Sequence, residues 1–297
     1  MLNFLAPNLR GILSQANLCR LEEVRVRLDR PLMVKDARGF SFLSRQGQPS
    51  LPNQGYIVSR EDLQRTMELI TESSWYAWEQ EIQGGYLTLP GGHRVGIAGQ
   101  AVYSQGVLKT IKHVSSLNFR QARAVLGAAD SIIGQVVQRD SQVLATLIVS
   151  PPGCGKTTLL RDLARQVANR GVQVVIIDER SEIASCYLGV PQLDVGWQTD
   201  VLDGYTKEAG VHHALRGLGP QVVVTDEIGH SSDASILSEL ARSGVKVIAT
   251  CHGDSLERLK GRSQVAESLA IFELVVILSG RKGPGTIETV LRLGRGT

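Results

Sequence analysis

The segment Thr146–Leu160, TLIVSPPGCGKTTLL, runs from an apolar stretch through a Pro/Gly turn into a helix that begins Gly-Lys-Thr-Thr. Residue types in that order suit the binding of a polyphosphate. The backbone from Pro152 through Thr158 can curl its N–H groups around a β-phosphate at the positive end of the following helix. Gly153 and Gly155 permit backbone angles that a side chain forbids. Lys156 is long enough to reach the β- and γ-phosphates, and the Thr157 hydroxyl is placed to complete a Mg²⁺ shell. The expected cradle is Ser150, Pro151, Pro152, Gly153, Cys154, Gly155, Lys156, Thr157 and Thr158. One position departs from the usual pattern, which opens on Gly where this chain has Ser150.

A phosphate loop implies nucleotide, and acidic groups beside it imply hydrolysis. The β-branched run Gln221–Thr225 ends in Asp226-Glu227, a pair of carboxylates at the edge of a buried strand. Asp226 is expected to hold Mg²⁺ and Glu227 to polarise the attacking water. A second apolar run, Val172–Ile177, ends in Asp178-Glu179-Arg180-Ser181-Glu182. These acids could serve the metal (Asp178), the water (Glu179) or a neighbouring subunit, or merely cap a helix. The third strand end, Val245–Thr250 followed by Cys251-His252-Gly253, brings His252 to the same rim as a candidate sensor of the γ-phosphate. Charge developing on that phosphate also calls for arginine. Arg94 and Arg120 stand out because each lies within a patterned strand, where a charged side chain needs a reason.

The elements that position these groups fall into two blocks. Residues 1–125 read as a small α+β domain: an alternating strand at Val24–Leu28, a Ser59/Asp62-capped helix, a helical stretch through Trp75, Trp78 and Ile82, a hairpin over Gly85–Ala98, and further strands at Gln100–Tyr103 and Val107–Lys112. Residues 126–297 form the second domain, entered through a helical connector spanning Ala124–Gln142. There strands 144–149, 172–177, 221–225 and 245–250 alternate with helices 156–169, 207–217 and 232–242, which predicts a parallel sheet and an α/β, RecA-like P-loop core.

Composition narrows the class. Hydrophobic content of 42% with 21% charged residues describes a soluble globular protein, and a net charge of +3 is too small to argue for nucleic acid. The N-terminus, MLNFLAPNLRGIL, lacks a basic n-region, so a cytoplasmic chain is expected. Its Leu2, Leu5, Leu9 and Ile12 recur at helical spacing and fit either a packing helix or a docking helix. The four cysteines form no CxxC pair, which disfavours a disulfide or zinc framework.

The segments GGHRVGIAG, LKTIKHVSSLN, LIVSPPGCGKTTLLRDLAR, IIDERSEIASCYLGVPQLDVG, TDVLDGYTKEAG, VVVTDEIG and VKVIATCHG resemble, in this order and spacing, the stage III sporulation protein AA family, itself similar to the secretion and type IV pilus ATPases. The likeness runs over about Leu21 to Leu291. It implies an ATP- and Mg²⁺-using ATPase of endospore-formers, a homo-oligomeric, hexameric ring acting with membrane-embedded partner proteins of a secretion-like complex and recruited peripherally through them. It also implies that Asp178–Glu182 matches an acidic box, His252 a histidine box, and that Arg94 and Arg120 reach nucleotide across a domain or subunit boundary. The wider secretion group carries Gly-Glu where this chain has Asp226-Glu227, which leaves two candidates, Glu227 and Glu179, for the general base. A nucleic-acid-dependent ATPase is the alternative on the same fold. It lacks a supporting tract of basic and aromatic residues.

Overall fold

The computed structural model describes the chain except residues 73, 75–77, 139–140, 231, 262 and 295–297. Two compact units emerge, Met1–Arg123 and Ala124–Thr297.

In the first unit, alternation of apolar and charged residues builds β1 (Glu23–Arg27), where Val24 and Val26 are fully buried and their charged neighbours are half-buried. It joins β2 (Met33–Asp36), β3 (Gly39–Leu43), β4 (Pro49–Ser50), β5 (Tyr86–Leu89), β6 (His93–Ser104) and β7 (Val107–Arg120). These make one antiparallel sheet in the order β4-β3-β2-β1-β7-β6-β5. The stretches 100–103 and 107–112 are parts of the long β6 and β7 rather than separate short strands. What looks like an interruption in the sequence is a register shift between Ala98 and Gln100. At Gly99 a Cβ would come within 2.7 Å of the Lys112 carbonyl oxygen, so only glycine fits the irregularity.

Among the described residues three α-helices join the sheet: α1 (Pro7–Gln15), α2 (Arg60–Ile70) and the short α3 (Glu79–Gln83). Ser59 and Asp62 close a reciprocal capping box at the start of α2. Trp78 and Ile82 are buried, whereas Trp75 lies outside the described residues. Leu5, Leu9, Ile12 and Leu13 are all buried as well. Of the two readings of the N-terminal stripe, the packing one fits this burial, with Leu2 alone half-buried, because covering these side chains removes apolar surface from water.

In the second unit the expected helical connector is largely non-helical, with a run of turns over 126–132. Among the described residues of 124–142, α4 (Ile133–Val136) is the one α-helical stretch. Gly127 takes a left-handed φ of 84°, and a run rich in β-branched residues adds little helical preference of its own. The segment is held instead by tertiary bonds, with Ala129 N–H donating to Asp162 at 2.8 Å and Gln166 to Asp130 at 2.7 Å.

Beyond it come β8 (Thr146–Ser150), α5 (Lys156–Ala168), β9 (Val174–Asp178), β10 (Thr199–Asp203), α6 (Lys207–Gly217), β11 (Val222–Thr225), α7 (Asp233–Arg242), β12 (Lys246–His252), α8 (Leu256–Lys260), α9 (Ser263–Leu269), β13 (Leu274–Ser279) and β14 (Thr286–Arg292). The sheet order is β10-β9-β11-β12-β8-β13-β14, parallel from β10 to β13 and closed by antiparallel β14. Every residue of β8, β9 and β11 is buried, as expected of strands covered on both faces. One apolar cluster, with Leu159, Leu163 and Ile248, lies on one side of the sheet; a second, with Val149, Val223 and Leu237, lies on the other. Ligands of such sheets bind outside the carboxyl ends of the strands. That is where β8, β9, β11 and β12 deliver their terminal residues.

Candidate active site

β8 passes directly into the phosphate loop. Gly155 caps α5 with φ 86°, and Gly153 has φ 74°, both in the region that glycine tolerates and other residues avoid. Pro151 and Pro152 have no backbone N–H, so the donors begin at Gly153 rather than at Pro152. Ser150 is fully buried, and its hydroxyl donates to the Pro151 carbonyl at 2.8 Å. Its φ is not left-handed, so the backbone at this position does not require the customary first glycine.

From this loop a chain of polar contacts crosses the rim of the sheet. Lys156 Nζ lies 2.9 Å from His252 Nδ1, His252 Nε2 lies 2.9 Å from Glu227 Oε1, and Glu227 Oε2 lies 3.2 Å from Arg180 Nη1. Lys156 Nζ is also 3.3 Å from His252 Nε2, so the ammonium faces both ring nitrogens; in the tautomer protonated on Nε2, that N–H donates to the carboxylate and Nδ1 accepts from the ammonium. Register explains the alignment. β12 pairs with β8 so that His252 is opposite Ser150, and with β11 so that Ala249 is opposite Thr225.

Beside that chain, Thr157 Oγ1 donates to Asp226 Oδ2 at 3.1 Å. The other Asp226 oxygen accepts the Thr250 hydroxyl and, at 2.9 Å, the Glu227 N–H, which is also 2.9 Å from Thr250 Oγ1. Thr250 had no place in the sequence expectation; as the polar residue near the end of an apolar strand it was a legible signal. Glu227 itself has φ 45°. A non-glycine residue in that region costs about 1–3 kcal/mol and persists where neighbours over-determine it, as these N–H bonds do.

The acidic segment after β9 divides its labour differently from expectation. Asp178 is 1% exposed, and its two oxygens accept backbone N–H groups of Glu182, Ile183 and Ala184 at 2.7, 3.0 and 2.8 Å. Burial pushes its carboxyl pKa up. Both oxygens thus help to shape the loop, Oδ2 accepting two of these N–H groups and Oδ1 one, while Asp178 also lines the polar cavity that Glu179 and Glu227 share. Arg161 of α5 ties the same loop down by donating to the carbonyls of Ile183 and Glu182. Glu179 pairs with Lys207 at 3.2 Å, outside the Lys156–His252–Glu227 chain. Glu179, Arg180, Asp226, Glu227 and His230 nevertheless line one polar cavity.

Arg94 and Arg120 belong to the first unit, where they are direct cross-strand partners. Like charges placed opposite one another repel. Here the Arg94 guanidinium lies 4.5 Å from the centre of the Tyr86 ring, and Glu23 sits opposite Arg120 on the other flanking strand.

Residues 1–296 match the family described as sporulation stage III, protein AA. The chain belongs to that family. It is 38% identical over 278 residues to stage III sporulation protein AA of Bacillus subtilis, covering 91% of this chain and 86% of the relative. Among solved structures it is similar to the ATPase DotB of Yersinia pseudotuberculosis, with a TM-score of 0.57 and 15% identity over 86% of this chain and 70% of that one. It is likewise similar to the pilus retraction motor PilT bound to ADP, with a TM-score of 0.55 and 14% identity over 86% and 73%. The fold is the RecA-like P-loop fold of the secretion and pilus ATPases.

Proposed function

We propose that this chain is a Mg²⁺-dependent ATPase that works as a homo-oligomeric ring, hexameric by analogy with motors of its fold, to drive a secretion-like membrane assembly between mother cell and forespore. The observation that carries the catalytic reading is the contact chain from Lys156 through His252 to Glu227, flanked by the Thr157–Asp226 pair.

The Thr157 hydroxyl and the Asp226 carboxylate are hard oxygen donors 3.1 Å apart, the kind of partner Mg²⁺ takes together with water and phosphate oxygens. An ion held there would neutralise charge between the β- and γ-phosphates. The backbone N–H groups from Gly153 onward, with Lys156, bind and orient the triphosphate. Lys156 then exchanges its His252 partner for phosphate oxygens, which frees His252 Nδ1 to face the γ-phosphate. Because His252 also holds Glu227, occupancy of the phosphate site and orientation of the base become linked. Glu227 accepts the proton of the attacking water. Arg94 and Arg120 supply further positive charge to the transition state, from the chain's own first unit or from a neighbour's.

Among the described residues no helix is long and apolar enough to cross a membrane, so work at a membrane would pass through partner proteins. Since the α1 stripe is buried, their docking surface lies elsewhere on the chain.

The decisive experiment measures ATP turnover and nucleotide binding by the purified chain and by Lys156→Ala, which should lose hydrolysis while keeping its fold. Unchanged turnover in that variant would falsify the site. Mixing Arg94→Ala or Arg120→Ala chains with Lys156→Ala chains should restore partial activity if the arginines act between subunits. Stimulation by DNA or RNA would favour the nucleic-acid-dependent alternative.

A further inference from the structure

The turn between β13 and β14, Gly280-Arg281-Lys282-Gly283-Pro284-Gly285, is absorbed by none of the chemistry above, yet it is built onto the phosphate loop. Gly285 N–H donates to the Cys154 carbonyl at 2.9 Å. Gly155 packs so closely that a Cβ there would lie 3.0 Å from the Gly285 nitrogen, and a Cβ on Gly280 would lie 3.5 Å from Cys154 Sγ. Both ends of the turn therefore rest on the middle of the loop. The turn is also ordered from within, Gly283 N–H donating to the Gly280 carbonyl at 3.1 Å and the Thr286 hydroxyl to the Gly283 carbonyl at 2.8 Å.

Arg281 and Lys282, between those anchors, are exposed, and neither has an acidic partner among the described residues. The nearest acid along the hairpin, Glu288, accepts a hydrogen bond from Ser279 instead. Consecutive Cα atoms are about 3.8 Å apart, so Arg281 starts one step from Gly280, where an added Cβ would meet Cys154. Two cations on a turn anchored to the loop that precedes Lys156 and the positive end of α5 add like charge to that region. That placement is unfavourable in isolation and becomes favourable once an anion occupies the loop.

We infer that this turn is a second wall of the nucleotide site, contributed by the same chain, in which Arg281 and Lys282 bind the phosphate groups of the nucleotide held by the phosphate loop. The inference rests on the ATP-binding reading. It makes the β13–β14 hairpin a binding element rather than a mere edge of the sheet, and it links the nucleotide to the strand pair that ends the fold.

The test is equilibrium binding of a fluorescent ADP analogue, with ATP as competitor, to the full chain and to R281A/K282A, R281K/K282R and R281E/K282E. Losing two charge-assisted contacts should weaken affinity about tenfold or more in the alanine variant and further in the glutamate variant. The charge-preserving variant should stay near wild type, and thermal unfolding midpoints should coincide because both side chains are exposed. Wild-type affinity in the alanine and glutamate variants at low salt overturns the inference alone. A wild-type chain that binds no nucleotide overturns the ATP-binding reading and this inference with it.

Discussion

Glu227→Gln isolates proton acceptance from everything else the residue does. The amide keeps the length of the side chain and the Oε1 acceptor for the His252 N–H, so the contact chain to Lys156 survives. What is lost is the capacity to take a proton, worth about 10²–10⁴-fold in rate. That is about 2.7–5.4 kcal/mol of barrier. Stability should hardly respond, because the ion pair given up is to Arg180, whose side chain is 68% exposed. Such pairs contribute less than about 1 kcal/mol. For a unit of this size the unfolding midpoint should then shift by no more than about 4 °C. Steady-state phosphate release and equilibrium ATP binding measured on the same preparation separate the two effects. Turnover near the wild-type rate refutes the assignment of the base. A larger loss in Glu179→Gln, with ATP binding preserved, would move the base to the acidic segment and show that the Lys207 pair does not define the role of Glu179.

Three further outcomes follow from local geometry. Gly155→Ala forces a left-handed alanine, costing about 1–2 kcal/mol, and drives a Cβ to 3.0 Å from Gly285; calorimetry should show a lower midpoint, and ATP titration weakened binding. Leu9→Ala empties a fully buried site in the first unit and should cost about 2–5 kcal/mol in denaturant unfolding; a cost near zero would restore α1 as a candidate docking helix. His93 is held neutral by burial, its pKa lowered from 6.5 to about 4, while its Nδ1 accepts the Ala122 N–H. The unfolded state therefore binds more protons between those values, and stability should fall as pH drops from 6.5 to about 4. Comparing urea unfolding of wild type and His93→Gln across that window checks it, an identical pH slope in the two proteins being the contrary result.

Much of this protein is legible one segment at a time. The phosphate loop is written locally: glycine at 153 and 155 selects backbone angles that almost nothing else adopts, and Lys156 and Thr157 follow at the head of a helix that their neighbours would form anyway. The apolar runs that end in Asp226-Glu227 and near His252 likewise announce buried parallel strands, because only strands covered on both faces can be continuously apolar. Which strand end meets which is another matter. Three acidic or polar ends are visible in the sequence, but the order β9-β11-β12-β8 alone places His252 between Lys156 and Glu227 and leaves Glu179 with Lys207. Asp178 is in sequence only the acid that ends an apolar run; the fold adds the three loop N–H groups that donate to its oxygens. The periodicity of α1 is the same whether it docks or packs; its burial decides. Residues 124–142 carry helical spacing, yet 126–132 form turns that bonds to Asp162 and Gln166 tie to α5. The β13–β14 turn reaches Cys154 across more than a hundred residues of chain. Each of these outcomes depends on long-range pairing, whose closure entropy and partner choice no local window records.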